Sequence, residues 1–151
     1  MDLKIIEYYE SADKEHWLAE IGRSDWPAGQ LLHKLISEDG FKKLCGENAR
    51  ILLLTDGDKL VSYCTYVFQD EIDDPEITPW MGFVYTFPEY RGKRMFGNLV
   101  ERVCELARGD GHKILYVSTE EVGLYEKYGF SYWKTMPSIY GWQSRVYRQD
   151  I

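Results

Sequence analysis

Strand-like apolar runs fill much of the first half of the chain, and helical spacings alternate with further strands in the second. This predicts an α/β or α+β fold on one mixed sheet. A length of 151 residues sets the expectation of one domain, residues 1–151, with room for a real core. Aromatic residues make up 15% of the chain, which suits a packed domain with a lined cleft and argues against disorder.

The elements follow in order. LKIIEY, residues 3–8, reads as a first strand, and Ser11 stands where the N-cap of a following helix belongs. In WPAGQLLHKLISEDG, Leu31, Leu32, Leu35 and Ile36 share one helical face and Gly40 marks the stop. ARILLLT and KLVSYCTYVFQ read as two strands joined at Asp56-Gly57, a dipeptide that tolerates the positive φ of a tight hairpin. DEIDDPE, residues 70–76, is an acidic loop before the apolar run WMGFVYTF. It reads as a solvated hairpin loop, with a second reading in which its field draws in cationic amines.

The stretch PEYRGKRMFGNLVERV, residues 88–103, comes next, and from Phe96 onward Leu99, Val100, Val103, Leu106 and Ala107 define one helical face. HKILYVST is a further strand, VGLYEKYGF a short helix closed by Gly129, and YWKTM and SRVYR are the last strands.

Arg91, Lys93 and Arg94 therefore gather at the start of a helix in a chain of formal net charge -7. The first amides of a helix lack internal partners and carry roughly half a positive charge between them, so three cations there oppose the helix dipole. Two readings are open. The cations are solvated surface charges, or an anion such as a phosphate resolves the conflict, with Gly92 and Gly97 letting backbone approach it.

VYTFPEYRGKRMFGNLVE resembles the acetyl-CoA loop of the GNAT superfamily of N-acetyltransferases, whose pattern is R/Q-x-x-G-x-G/A between a strand and a helix. LYEKYGF, residues 124–130, resembles that family's Y-E-K-x-G-F segment, and TPW at 78–80 followed by Tyr85 is similar to small bacterial members. The likeness runs along essentially the whole chain. It implies a central mixed, mostly antiparallel twisted sheet of about seven strands flanked by about four helices.

It also implies acetyl-CoA as co-substrate, with no metal. On the matching positions, Arg91, Gly92, Lys93, Arg94, Met95, Phe96 and Gly97 would meet the pyrophosphate. Val84, Tyr85 and Thr86 lie on the strand before the loop, whose backbone N–H groups would hold the pantetheine and polarise the thioester carbonyl. Arg94 and Phe96 stand where the family has small residues. That leaves open which amides touch which oxygens, with Phe96 expected to face the sheet and Gly97 to take over close approach.

Tyr125 matches the tyrosine placed near the departing sulfur, where a phenol serves as general acid; without the motif it reads as an aromatic packing on a helix. No carboxylate lies in TPWMGFV, so no base is named; Asp74 and Glu76 lie just upstream, and deprotonation through solvent is equally open. Trp26 and Trp80, with Tyr66 and Tyr85, are placed either in the acceptor cleft or in the core.

The implied activity is transfer of acetyl to a primary amine by direct attack, the acceptor being a small amine or a basic peptide. A CoA-binding sensor or interaction module on the same fold is the alternative. The acidic balance argues against nucleic acid as a partner. No apolar run approaches a membrane span and no targeting motif stands at either end, which sets the expectation of a cytoplasmic protein with reduced thiols. Cys45, Cys64 and Cys104 and the three histidines have no metal-ligand spacing. A homodimer formed through pairing of SRVYR is open. Hydrolase, NTPase and dinucleotide motifs are absent from the sequence.

Overall fold

The computed structural model describes residues 1–151. Seven strands form one sheet in the order β1-β2-β3-β4-β5-β7-β6. They are β1 (Leu3–Glu7), β2 (Arg50–Asp56), β3 (Lys59–Val67), β4 (Trp80–Thr86), β5 (Ile114–Thr119), β6 (Ser131–Pro137) and β7 (Gln143–Asp150). Every neighbouring pair is antiparallel except β4 and β5. Four helices cover the sheet: α1 (Lys14–Gly22), α2 (Pro27–Ser37), α3 (Phe41–Cys45) and α4 (Gly97–Gly109). The mixed, mostly antiparallel sheet of seven strands with four helices is the architecture expected from the sequence.

Side-chain alternation divides the core in two. One cluster, rich in aromatics, joins α1, α2 and α3 to Tyr63, Trp80, Tyr85, Tyr116 and Val146 on one face of the sheet. The other joins Leu99, Val100, Val103, Cys104 and Ala107 of α4 to Cys64, Tyr66, Met81, Leu115 and Val117 on the opposite face. The apolar stripe of α4 is thus buried; each such aliphatic side chain contributes roughly 1.5–3 kcal/mol.

Local chemistry corrects several boundaries. Asp13, not Ser11, caps α1, accepting from the His16 amide at 3.1 Å; the Ser11 hydroxyl donates to Tyr8 O at 2.6 Å and closes a 3-10 turn. The helix over WPAGQLLHKLIS ends at Ser37, and Gly40 instead leads into α3. VGLYEKYGF holds only one 3-10 turn, Tyr125–Tyr128, closed by Gly129 at φ 93°. β7 carries SRVYR between β5 and β6, so both its edges are already paired and it is closed to a partner strand. All three cysteines are free and buried, and no helix is long and apolar enough to cross a membrane.

Candidate active site

The site is built around a gap in the sheet. The parallel strands β4 and β5 pair only at Trp80–Tyr116 and Met81–Val117. Just beyond, Phe83 adopts a φ of 46° and the register of β4 against β3 shifts. Such a bulge bends a strand and breaks its pairing. The Phe87 amide donates to Val61 O at 3.0 Å, so alternation along β4 aims the amides of Val84 and Thr86 away from β3 and into the gap. The gap opens into a cavity of about 1430 Å³ that reaches both faces of the sheet, with Leu31 and Cys45 on one side and Val117 and Tyr128 on the other.

One end of the cavity is made of backbone. The Arg91 amide bonds Pro88 O and the Gly97 amide bonds Arg94 O, each at 3.2 Å, but the amides of Gly92 through Phe96 have no acceptor in the chain. Gly92 at φ 80° and Arg94 at φ 54° are left-handed between neighbours, a turn geometry that makes successive N–H groups converge on a concavity suited to an anion. No side chain caps α4 directly behind them, so its positive end is open as well.

Arg94, Met95 and Phe96 line the cavity here, whereas Lys93 faces solvent outside it. Gly97 also lies outside, under the Tyr128 ring, where a Cβ would stand 3.1 Å from Cε1; it serves packing, not ligand approach. Phe96 packs on Tyr128 at 4.4 Å and Tyr125 at 6.2 Å between ring centroids. The Arg91 guanidinium is committed elsewhere. Its Nε donates to Thr86 O at 2.8 Å, Nη2 lies 3.9 Å from Asp25 Oδ1, and Cζ sits 5.3 Å from the Tyr85 centroid. It ties the turn to the end of β4 and to the α1–α2 connection, which leaves Arg94 as the guanidinium of this turn without a partner in the chain.

The opposite end is made of acidic side chains. Gln69, Asp70 and Glu71, at the start of the β3–β4 connection, line the cavity on the α2–α3 face. Glu71 is held at both its side chain and its backbone. Ser118 Oγ donates to Glu71 Oε1 at 2.7 Å, Ser144 Oγ lies 2.7 Å from Ser118 Oγ, and the Ile139 amide donates to Glu71 O at 2.8 Å. With its one proton spent on Glu71, Ser118 must accept from Ser144.

Asp70 lies over Gly82, the first residue of β4 past the last pairing with β5. A Cβ at 82 would collide with Asp70 Oδ1 and stand 3.1 Å from Thr65 Oγ1, a buried hydroxyl without a partner. Neither carboxylate forms an ion pair. Burial, then the neighbouring charge of Glu71, pushes the Asp70 carboxyl up to about 7, against the opposing pull of the Glu71 amide. The rim is aromatic: Tyr140 and Trp142 stack at 5.2 Å and are each 47% exposed.

Between the two ends stands Tyr125. It is 5% exposed, packs edge-on against Phe130, and presents to the cavity a hydroxyl with no partner in the chain. Burial drives its ionisation well above the ordinary phenol range. Trp26 also lines the cavity, stacked on Tyr85 at 5.6 Å. Trp80 does not: it is fully buried below the gap, its indole N–H donating to Ile77 O at 2.6 Å. Tyr66 is likewise core, bonded to Asp110. Asp74 and Glu76 do not line the cavity; Asp74 accepts from the Glu76 amide to close its own turn.

Asp70, Glu71, Gly82, Ser118 and Ser144 are the site residues that sequence reasoning missed. The acidic run signalled charge near an acceptor, but only strand register decides which of its carboxylates turn inward.

The whole chain superposes on solved acetyltransferases. An aminoglycoside 6'-acetyltransferase type Ii matches with a TM-score of 0.70 at 16% identity, over 99% of this chain and 97% of that one. An acetyltransferase from Streptococcus agalactiae matches with a TM-score of 0.68 at 20% identity, over 99% and 98%. A GNAT family acetyltransferase from Elizabethkingia anophelis with acetyl-CoA bound matches with a TM-score of 0.66 at 12% identity, over 99% of each chain. At these identities the likeness shows the fold. No curated protein matches in sequence. The family model for the acetyltransferase (GNAT) family does, over residues 7–130, and with the split strands and the loop of free amides it settles the matter: this chain belongs to the GNAT family of acetyltransferases.

Proposed function

We propose that the protein transfers an acetyl group from acetyl-CoA to a primary amine by direct attack, without an acyl-enzyme. The observation that carries this reading is the path of the cavity. It begins at five unpaired amides and Arg94, follows the free edge of β4, and passes through the sheet to two carboxylates without a counter-ion.

A diphosphate fits the first end, since the amides of Gly92–Phe96 and the Arg94 guanidinium offer donors that nothing in the chain uses. The Val84 and Thr86 amides would take the pantetheine as an added strand and polarise the thioester carbonyl. A preorganised donor at a developing oxyanion is worth roughly 3 kcal/mol. The Tyr125 hydroxyl, held protonated by burial, would donate to the departing sulfur. On the other face, acidic and aromatic groups including Asp25, Trp26, Glu71 and Trp142 suit a cationic acceptor and repel an anionic one. Two aminoglycoside 6'-acetyltransferases that share this fold, one of them a complex with coenzyme A, support a small polyamine-like acceptor.

Calorimetric titration with coenzyme A and a thiol-release assay over polyamines, amino sugars, amino acids and basic peptides test the reading. Saturable CoA binding with thiol release on at least one amine is expected, and Tyr125→Phe should lower that release 10- to 100-fold. Tight CoA binding with no release across the panel would instead make the protein a CoA-binding module.

A further inference from the structure

We propose that Asp70 is the proton acceptor that converts the bound ammonium of the acceptor into the attacking amine, and that Glu71 holds that ammonium in place beside it. This rests on the acyltransferase reading above and assigns the one task in it that β4 leaves unfilled, because WMGFVYT has no carboxylate.

Position is the first argument. Gly82 is where β4 and β5 part, and Asp70 Oδ1 occupies the space that a side chain at 82 would take. The carboxylate therefore stands at the mouth of the gap on the α2–α3 face, opposite the α4 face that carries Tyr125. An amine entering from the first face reaches the thioester by passing Asp70.

Charge is the second. The groups that face Asp70 are Glu71 beside it, Cys45 from α3, Tyr140 from the β6–β7 turn, and Tyr125 across the sheet. All are acidic or neutral, and no Lys or Arg pairs with either carboxylate. Two adjacent carboxylates turned into a cavity without a counter-ion are costly unless a ligand brings the positive charge. An ammonium does so.

Fixity is the third. The Glu71 carboxylate accepts from Ser118, which Ser144 orients in turn, and the Ile139 amide holds the Glu71 backbone carbonyl, so this carboxylate is anchored by a hydrogen bond. The Asp70 carboxylate accepts from no side chain, only from the neighbouring Glu71 amide, and so keeps acceptor capacity for the ligand. The division suits a holder and a base, and burial with a neighbouring negative charge brings Asp70 close to working pH, where proton transfer is most effective.

The step balances. R–NH3+ gives one proton to Asp70, which later releases it to solvent. The freed lone pair forms the C–N bond to the acetyl carbon, the C–S bond breaks, and the sulfur leaves with its electron pair. Tyr125 protonates that sulfur and regains a proton from the second N–H of the nitrogen, giving amide and free thiol.

The experiment compares the parent with Asp70→Asn, using whichever panel amine turns over fastest. Expected for the parent is a kcat/KM that climbs tenfold per pH unit and levels near pH 7. For Asp70→Asn we expect a loss of 100-fold or more at pH 7.5, with CoA affinity within twofold of the parent. The rising limb should move up to the pKa of the amine itself, near 10 for an alkylamine. A parent whose limb already lies at the amine's pKa, or an Asp70→Asn that keeps the parent's rate and limb, overturns the assignment and leaves deprotonation to solvent. A parent that binds CoA but acetylates no amine instead refutes the acyltransferase reading, and the base role with it.

Discussion

The two ends of the cavity solve opposite problems by opposite means. They are separated by the free edge of β4 from Gly82 to Thr86, about 13 Å of extended chain. The anion end, Gly92 to Phe96, is a surface turn whose donors are main-chain N–H groups. In the proposed reaction its selectivity would depend on backbone shape and one free guanidinium. The acid end is a cluster of side chains brought from β3, β5, β7 and two connections, held by hydrogen bonds between residues up to 47 apart in sequence. Backbone donors cannot be removed by a single side-chain change, whereas a side-chain cluster fails when one member shifts. Substitutions should therefore be graded at the anion end and steep at the acid end.

The steepest test is Gly82→Ala. The added methyl takes the place of Asp70 Oδ1 and crowds Thr65 Oγ1. The carboxylate, being the end of a side chain, gives way before the sheet does. Displacement of a catalytic group by about 1 Å costs about 100-fold in rate. We expect turnover to fall by that order while coenzyme A binds as before, a split read by pairing steady-state kinetics with calorimetry. Retained turnover would show that the acid end tolerates displacement and that the contrast between the ends is wrong.

This contrast also explains what could be read from the chain. The anion end was legible because its signal is local: glycine and cations between a strand and an amphipathic helix, all within Arg91–Gly97. Even so, its division of labour was not. Arg91 is drawn away by Thr86 and Asp25, which come from a strand end and from a loop more than 60 residues earlier. The place of Tyr125 on the cavity wall was legible through LYEKYGF. The acid end was not, because DEIDDPE holds five carboxylates in seven residues and sequence spacing cannot say which two the β3–β4 register turns inward. Trp80 and Tyr66, open between cleft and core in the sequence, are core, and sequence could not decide this for a related reason. A strand aromatic that faces a helix looks the same in sequence as one that faces a cleft.

An intermediate effect concerns stability at the acid end. Unfolded, the Asp70 carboxyl titrates near 4; folded, burial and Glu71 raise it to about 7. Between those values the native state holds a proton that the unfolded state has lost, so this group's contribution to stability declines as pH rises from about 4 to 7 and stays low above. Asp70→Asn removes the penalty. Urea unfolding should show the variant equal to the parent near pH 4 and more stable at pH 8 by about 2 kcal/mol, less than full linkage gives because the carboxyl lines an open cavity. A gain at pH 8 together with a loss of turnover would mark the acid end as strained for function. Equal stability at both pH values would mean that Asp70 ionises without cost, and the side-chain cluster would then be no more finely tuned than the backbone turn.

The smallest effect belongs to the anion end and has two signs. Arg94 holds φ at 54°, a conformation that costs a residue with a Cβ roughly 1–2 kcal/mol. Arg94→Gly relieves that cost and gives back part of it as extra freedom in the unfolded chain, for a net gain of about 0.5–1 kcal/mol. The same change deletes the one guanidinium at this end that no carboxylate engages. A charge-assisted hydrogen bond contributes about 1.5–3 kcal/mol, of which an exposed site keeps the lower part, so coenzyme A affinity should fall about 10-fold. The five amides remain, and binding weakens without vanishing. Calorimetry and urea unfolding on the same preparation read both quantities. Affinity lost with stability gained means the left-handed arginine is kept for the ligand. If both rise, the glycine was the better residue for the turn and the backbone alone carries the diphosphate.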